Sequence, residues 1–333
     1  MSFFHAILNN PLLFWTVLAI GAVVVVNGWT DAPCAIATCV SSGAMPLRGA
    51  AVLAAVCNLI GIGISAVLHP AVIATVCDTV RLPRDGGLSL TVILCAMIAT
   101  AAWAVVAWFF GIPTSESHAL LSGLSGAAVA YGGIGCVVGK AWIRVAVGLV
   151  LSLVCGILMG FLAYQAFGGR RATHSERNAK TVLTAGAVAM ALMHGAQDGQ
   201  KLIGFLLLAF SLGGVREEVH PLLILFVALL MGTGTLLGGG RIIKTLGRDL
   251  VLAGYREGVS ADIGAAACLL LLTWGGFPVS TTHTKTAALM GVGVARGKGG
   301  TDGKTALRLF AVWLLTFPSC FALSYLAMRL VMR

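Results

Sequence analysis

The 333-residue sequence predicts an all-α polytopic membrane protein of about 10 transmembrane segments in two inverted-topology repeats; counting broken or re-entrant helices separately gives about 10–12. Three observations carry that prediction. Hydrophobic residues make up 58% of the chain and charged ones only 10%, against about 25% charged in a soluble domain. Mean hydropathy is +0.96, which leaves too little polar surface to cover a soluble core of this size. A short series of polar residues also recurs at half the chain length. Composition thus excludes a soluble enzyme, a disordered scaffold and a disulfide-stapled secreted domain.

Crossing the hydrocarbon takes about 20 apolar residues. In chain order the candidate spans are roughly 12–26, 50–70, 88–110, 112–134, 141–167, 181–212, 221–239, 260–276, 277–295 and 307–328. The first has no Lys or Arg before it and no small-residue cleavage site after it, so it reads as a retained span. The spans at 112–134 and 277–295 open on Gly-Ile-Pro and Gly-Phe-Pro, and proline suits the first turn of a helix. The polar stretch 168–180 divides an N-terminal repeat, 1–167, from a C-terminal repeat, 181–333, and reads as a cytoplasmic linker. All nine cysteines lie in or beside apolar runs with no C-x-x-C pair, so they read as small hydrophobes.

The formal charge of +10 lies mostly between the apolar runs, as topology signals do, and gives no reason to expect nucleic acid. Ten crossings place 13 basic residues on one side, among them Arg48, Arg170, Arg171, Arg241, Lys244 and Arg308. The other side carries 7, including Arg81, Lys140 and Arg144. Lys201 and Lys285 fall inside apolar segments. The richer side is expected to be cytoplasmic, so both termini face outward from a plasma (inner) membrane.

The repeat is specific. Gly28-Trp29-Thr30-Asp31 matches Gly195-Ala196-Gln197-Asp198 at an offset of 167, and Gly111-Ile112-Pro113-Thr114-Ser115-Glu116-Ser117-His118 matches Gly276-Phe277-Pro278-Val279-Ser280-Thr281-Thr282-His283 at 165. Chance likeness between apolar helices would repeat Leu, Ala and Val, not Asp, Pro, Ser and His in one order. Five crossings per half is an odd number, which turns the second copy upside down, as in many secondary transporters.

Asp31 and Asp198 sit in apolar segments, where a carboxylate costs about 2.5–3.5 kcal/mol. Gly28, Pro33, Gly195 and Gly199 beside them suggest two discontinuous helices lining a polar cavity. In the second motif, Ser115 and Ser117 of one half and Ser280, Thr281 and Thr282 of the other follow a proline, so a helix N-terminus with hydroxyls is expected in each. Such ends bind anions, and two from inverted copies can face one oxyanion. His118 and His283 are expected to hold the motif by hydrogen bonding, with a proton role as the alternative. The two aspartates and a mono- or dianion sum to about −3 or −4, which is costly in a low dielectric unless cations or protons enter with the substrate. Thr30, Asp31, Gln197, Asp198 and Lys201 are the candidate coupling residues. Lys201 and Lys285 either offset part of the charge or snorkel to an interface. The run Gly299–Thr305 lacks the first glycine of a phosphate loop, and no H-E-x-x-H or G-x-S-x-G occurs, so no enzymatic activity or cofactor is expected.

With Pro278–His283 in full, Pro113–His118 in part, and Asp31 and Asp198 in place, residues 27–295 resemble the inorganic phosphate transporter (PiT) family of carriers, in its bacterial anion-permease form. The resemblance implies phosphate bound between the two halves with cations, sodium among them, near Asp31 and Asp198. The departures are Thr30 and Gln197 for the asparagine before each aspartate, Cys34 and Lys201 for the later one, and Glu116 for a threonine. Cys34 is a poor ligand for a hard cation and Lys201 repels one. At least one sodium site of the family is therefore expected to be lost, with protons or the Lys201 ammonium in its place. The leading reading is a phosphate symporter driven by H+ or Na+. A sulfate permease of the same family is the alternative, and an anion channel a lower one. Oligomeric state stays open, a homo-oligomer being compatible with the chain.

Overall fold

In a computed structural model, residues 2–68, 70–167, 176–215, 219–237, 240–246, 254–297 and 301–333 are described. Of the expected linker, 168–175 lies outside them. The helices are α1 (Ser2–Asn9), α2 (Pro11–Thr30), α3 (Ala32–Ser41), α4 (Leu47–Leu68), α5 (Ala71–Cys77), α6 (Gly86–Phe109), α7 (Glu116–Gly132), α8 (Gly139–Phe167), α9 (Glu176–Leu212), α10 (Pro221–Leu237), α11 (Gly240–Lys244), α12 (Tyr255–Trp274), α13 (Thr281–Arg296) and α14 (Gly303–Val331). Among the described residues there is no strand, only an isolated bridge between Val80 and Val137. The nine cysteines are free thiols.

Side-chain caps fix where helices start. Asn10 accepts from the Leu13 amide ahead of α2, Asp85 from Leu88 ahead of α6, and Asp302 from Thr305 ahead of α14. Each satisfies an N–H that the first turn leaves without a partner. Asp302 also shows what the incomplete phosphate-loop look-alike does, since its last residues cap a helix.

Six apolar stretches are long enough to span a bilayer: Pro11–Ser41 (α2 with α3), α4, α6, α8, α12 and α14. α9 has 37 residues and α10 has 17. α7 and α13 have 17 and 16 residues, about 25 Å of helix at 1.5 Å per residue and short of a full crossing. Each starts inside the protein, five residues beyond a left-handed glycine, Gly111 (φ 67°) or Gly276 (φ 68°).

The repeats interlock. α2 packs on α10 while its counterpart α9 packs on α4, and α7 packs on α14 while α13 packs on α8. α8 and α14 start at opposite ends of α6. The first turns of α8 lie with Arg81, just ahead of α6, whereas Thr305 and Arg308 of α14 lie with Phe109 and Phe110 at its far end. α6 is 24 residues, about 36 Å, so the two copies run in opposite senses across a membrane-sized thickness.

One expectation is corrected here. Asp198 does not lie on a broken helix: α9 runs unbroken through Gly195–Gly199. At Asp31 the interruption between α2 and α3 is one residue in a right-handed helical conformation (φ −100°, ψ −41°). The glycines serve close packing instead. A Cβ on Gly195 would overlap the Asn58 backbone of α4, and one on Gly28 would overlap the Met231 carbonyl of α10.

Candidate functional site

The N-termini of α7 and α13 meet in the interior. Ser115 accepts from the His118 amide at 3.3 Å and Ser280 from the His283 amide at 3.2 Å, so these two hydroxyls cap their own helices. The next hydroxyls face the aspartates. Ser117 Oγ donates to the Val279 carbonyl across the repeat boundary at 3.2 Å, and Thr281 Oγ1 donates to Asp198 Oδ2 at 3.1 Å. Thr282 lies against Asp31 and 3.5 Å from the Cys34 thiol, and the Glu116 backbone amide also donates to Asp31. The substrate residues expected from sequence are therefore gathered at one place, none of them more than 2% exposed.

Asp198 is the hub. Lys201, one turn on along α9, places its ammonium 2.5 Å from Asp198 Oδ1, 2.5 Å from Ser117 Oγ and 2.5 Å from the Val279 carbonyl. All three N–H donors of a lysine can thus be used. Asn27 Nδ2 donates to Asp198 Oδ2 at 3.3 Å, and His194 Nε2 lies 3.2 Å from the same oxygen. His194 Nδ1 is in turn 3.0 Å from Asn58 Oδ1. A sodium ion expected near Asp198 meets the Lys201 ammonium already seated among its oxygens. Among the described residues no group of three or more His, Cys, Asp or Glu is arranged to hold a metal ion.

The Asp31 side is built differently. Asp31 Oδ1, both Glu116 carboxyl oxygens and Asn27 Oδ1 are buried without a hydrogen-bond partner. Cys34, the repeat counterpart of Lys201, supplies no charge there. The duplicated site repeats its capped helix N-termini but is asymmetric in charge.

Several expectations shift. Thr30 spends its hydroxyl on Val26 of its own helix at 2.9 Å. Gln197 donates to the Phe277 carbonyl at 2.8 Å and so braces the chain entering α13 rather than Asp198. The histidine rings do not hold the motif by hydrogen bonds. The two rings pack edge to face at 4.6 Å between centroids, His118 stacks on Phe317 at 4.4 Å, and His283 lies 3.9 Å from Trp313. His283 has neither ring nitrogen bonded. Lys201 and Lys285 do not snorkel; both are buried. Lys285 pairs with Asp262 of α12, whose other oxygen accepts from Thr38 of α3 at 2.8 Å.

Asn27, His194 and Asp262 were missed in sequence. A signal existed for the first two. They are separated by the same offset of 167 as the aspartates and lie four residues before them, one turn along the same helix face.

The sequence pattern of the phosphate transporter family matches residues 27–183 and, a second time, residues 167–324. A Bacillus subtilis (strain 168) protein named "Probable low-affinity inorganic phosphate transporter" is 33% identical over 300 residues, covering 88% of this chain and 89% of the relative. A Rhizobium meliloti (strain 1021) protein of the same name is 32% identical, covering 92% and 93%. The solved structure titled "The sodium-dependent phosphate transporter" superposes with a TM-score of 0.86 over 97% of this chain and 99% of its own, at 20% identity, and thus shares the fold.

Proposed function

The chain belongs to the phosphate transporter family, and from that premise we propose that it imports inorganic phosphate across the plasma membrane by cation symport, with both termini outside. The observation that carries the reading is the meeting of two repeat-related helix N-termini over Asp31 and Asp198, closed from solvent. Each N-terminus presents the positive end of its dipole to an oxyanion, and the Ser117 and Thr281 hydroxyls would turn to it from the Val279 carbonyl and Asp198. A phosphate that still carries a proton can also donate to a carboxylate, which fully ionised sulfate cannot.

Charge supports symport. Asp31, Glu116 and Asp198 bring three acidic side chains into the closed site and Lys201 one ammonium. An incoming anion deepens the deficit, and low-dielectric surroundings make that expensive unless a cation enters with it. Protons are the coupling ion that Lys201 favours, because its ammonium holds the three oxygens a sodium ion would need near Asp198. Release requires α7 and α13 to part at either end, as alternating access between inverted repeats does.

The test is uptake of labelled phosphate by proteoliposomes under an imposed proton gradient, without sodium, then with sodium and with excess sulfate. Accumulation without sodium that sulfate barely lowers is expected. A strict sodium requirement would overturn the proton reading, and abolition by sulfate would make sulfate the substrate.

A further inference from the structure

Two basic clefts lie at opposite ends of α6. One, of about 260 Å³, is lined by Arg241, Lys244, Thr245, Thr305 and Arg308 beside Gly111. The other, of about 420 Å³, is lined by Thr75, Arg81, Lys140 and Arg144, and by one carboxylate, Asp78. Among the described residues none of these six cations is ion-paired.

The clefts share one wiring. In the first, Arg241 donates to the Phe109 carbonyl at 2.5 Å with its guanidinium 4.7 Å over Trp108, and Thr245 donates to the Gly111 carbonyl at 2.7 Å. In the second, Arg144 donates to the Gly275 carbonyl at 2.9 Å with its guanidinium 5.5 Å over Phe277, and Thr75 donates to the Gly276 carbonyl at 2.9 Å. Arg144 and Arg308 are counterparts in the repeat, 164 residues apart. Each cleft thus grips the left-handed glycine four residues ahead of the serine that caps α7 or α13. The remaining cations, Arg81 and Lys140 in one cleft and Lys244 and Arg308 in the other, line open space.

Topology alone does not account for this. The positive-inside rule concentrates Lys and Arg on one side of the membrane, yet three stand at each mouth. A cleft of cations without an ion-pair partner raises the local concentration of anions, an effect that salt screens.

We infer that each mouth of the carrier holds a tetrahedral phosphate-type oxyanion in its basic cleft, a station between solvent and the buried site. The inference rests on the transport reading for its purpose, not for its binding chemistry. The oxyanion has two sources, free phosphate or the headgroup of an anionic lipid.

The experiment uses the full chain with paired substitutions that leave the backbone clamps intact: Arg81→Gln with Lys140→Gln, and Lys244→Gln with Arg308→Gln. Initial rates of labelled phosphate influx and efflux are measured in vesicles of one orientation, made of phosphatidylcholine with or without phosphatidylglycerol. If the source is free phosphate, each pair raises the half-saturation concentration about tenfold from its own side in phosphatidylcholine alone, and high salt erases the effect. If the source is a headgroup, the change appears only with phosphatidylglycerol present. Variants matching wild type from both sides, in both lipids and at low salt, would overturn the stations. Wild-type vesicles that take up no phosphate at all count against the transport reading alone. The clefts are then judged by equilibrium binding of labelled phosphate and of phosphatidylglycerol to the purified protein. Binding about tenfold weaker in the variants supports the stations, and unchanged binding overturns them.

Discussion

Replacing Lys201 with methionine keeps most of the side chain's bulk, one atom shorter, and removes its charge. At the observed 2.5 Å separation and an effective dielectric of about 20, Coulomb attraction between Lys201 and Asp198 is about 7 kcal/mol before desolvation. Taking both groups out of water returns much of that, so the pair adds little net stability, whereas breaking it strands a buried carboxylate at a cost of about 3–5 kcal/mol. Asp198 keeps Thr281, Asn27 and His194 as partners, which places Lys201→Met near about 3 kcal/mol, the low end of that range. Adding Asp198→Asn removes the stranded charge, and the double variant is expected to recover to within about 1 kcal/mol of wild type. Unfolding of the purified protein by SDS titration in mixed micelles measures both numbers, and transport is expected to fall in both variants because the charge balance of the closed site changes. The reasoning fails if Lys201→Met is as stable as wild type, or if the double variant is no more stable than the single one.

Lys285 and Asp262 form a second interior pair, fully buried on both sides. Lys285→Met alone should cost about 3–5 kcal/mol and much less when combined with Asp262→Asn, read as melting temperature in detergent; additive losses would contradict the pairing. Gly195→Ala drives a Cβ into the Asn58 backbone, so it should cost about 1–3 kcal/mol and reduce phosphate uptake by displacing α9 from α4, whereas Gly303→Ala, with open space at its Cβ position and no left-handed backbone, should leave uptake unchanged. Glu116→Gln removes a carboxylate whose two oxygens have no hydrogen-bond partner. It should melt no lower than wild type at neutral pH, and a large drop would show that the charge is held by a partner.

The crossings, the duplication and the convergent hydroxyls were legible in sequence because each leaves a pattern: apolar length, a repeated offset, a proline followed by serine. What stayed hidden depends on reach. Lys201 reads from sequence as either a charge offset or a snorkelling side chain, since a four-carbon stem reaches both. Its three bonds to α9, α7 and the chain before α13 exist only once the halves interlock. Gly195 and Gly199 misled for a related reason. A glycine run fits a broken helix and a tight helix crossing equally well, and the Asn58 backbone that decides between them is 137 residues away in sequence from Gly195. The histidines were read through their polar atoms, whereas Phe317 and Trp313 of α14 engage the faces of the rings.

The asymmetry between Asp31 and Asp198 bears on how such a site can cycle. A duplicated carrier with identical halves would have two equivalent carboxylates, each needing a charge partner whenever the site closes. Here one of them brings its own. Asp198 is satisfied by Lys201, Thr281 and Asn27 in the closed state, so its environment need not change composition when substrate leaves. Asp31 has one oxygen without a hydrogen-bond partner, and Glu116 beside it has two. Closing the site around them is costly unless something positive or protonated is enclosed with them. Under the symport proposed above, the charge exchanged with solvent would fall on the N-terminal repeat's half of the site, where the unpartnered oxygens are. The C-terminal repeat's half carries its counter-charge on the Lys201 side chain, covalently part of the protein. Under the same proposal, such a division would let the carrier run on fewer coupling cations than it has repeats.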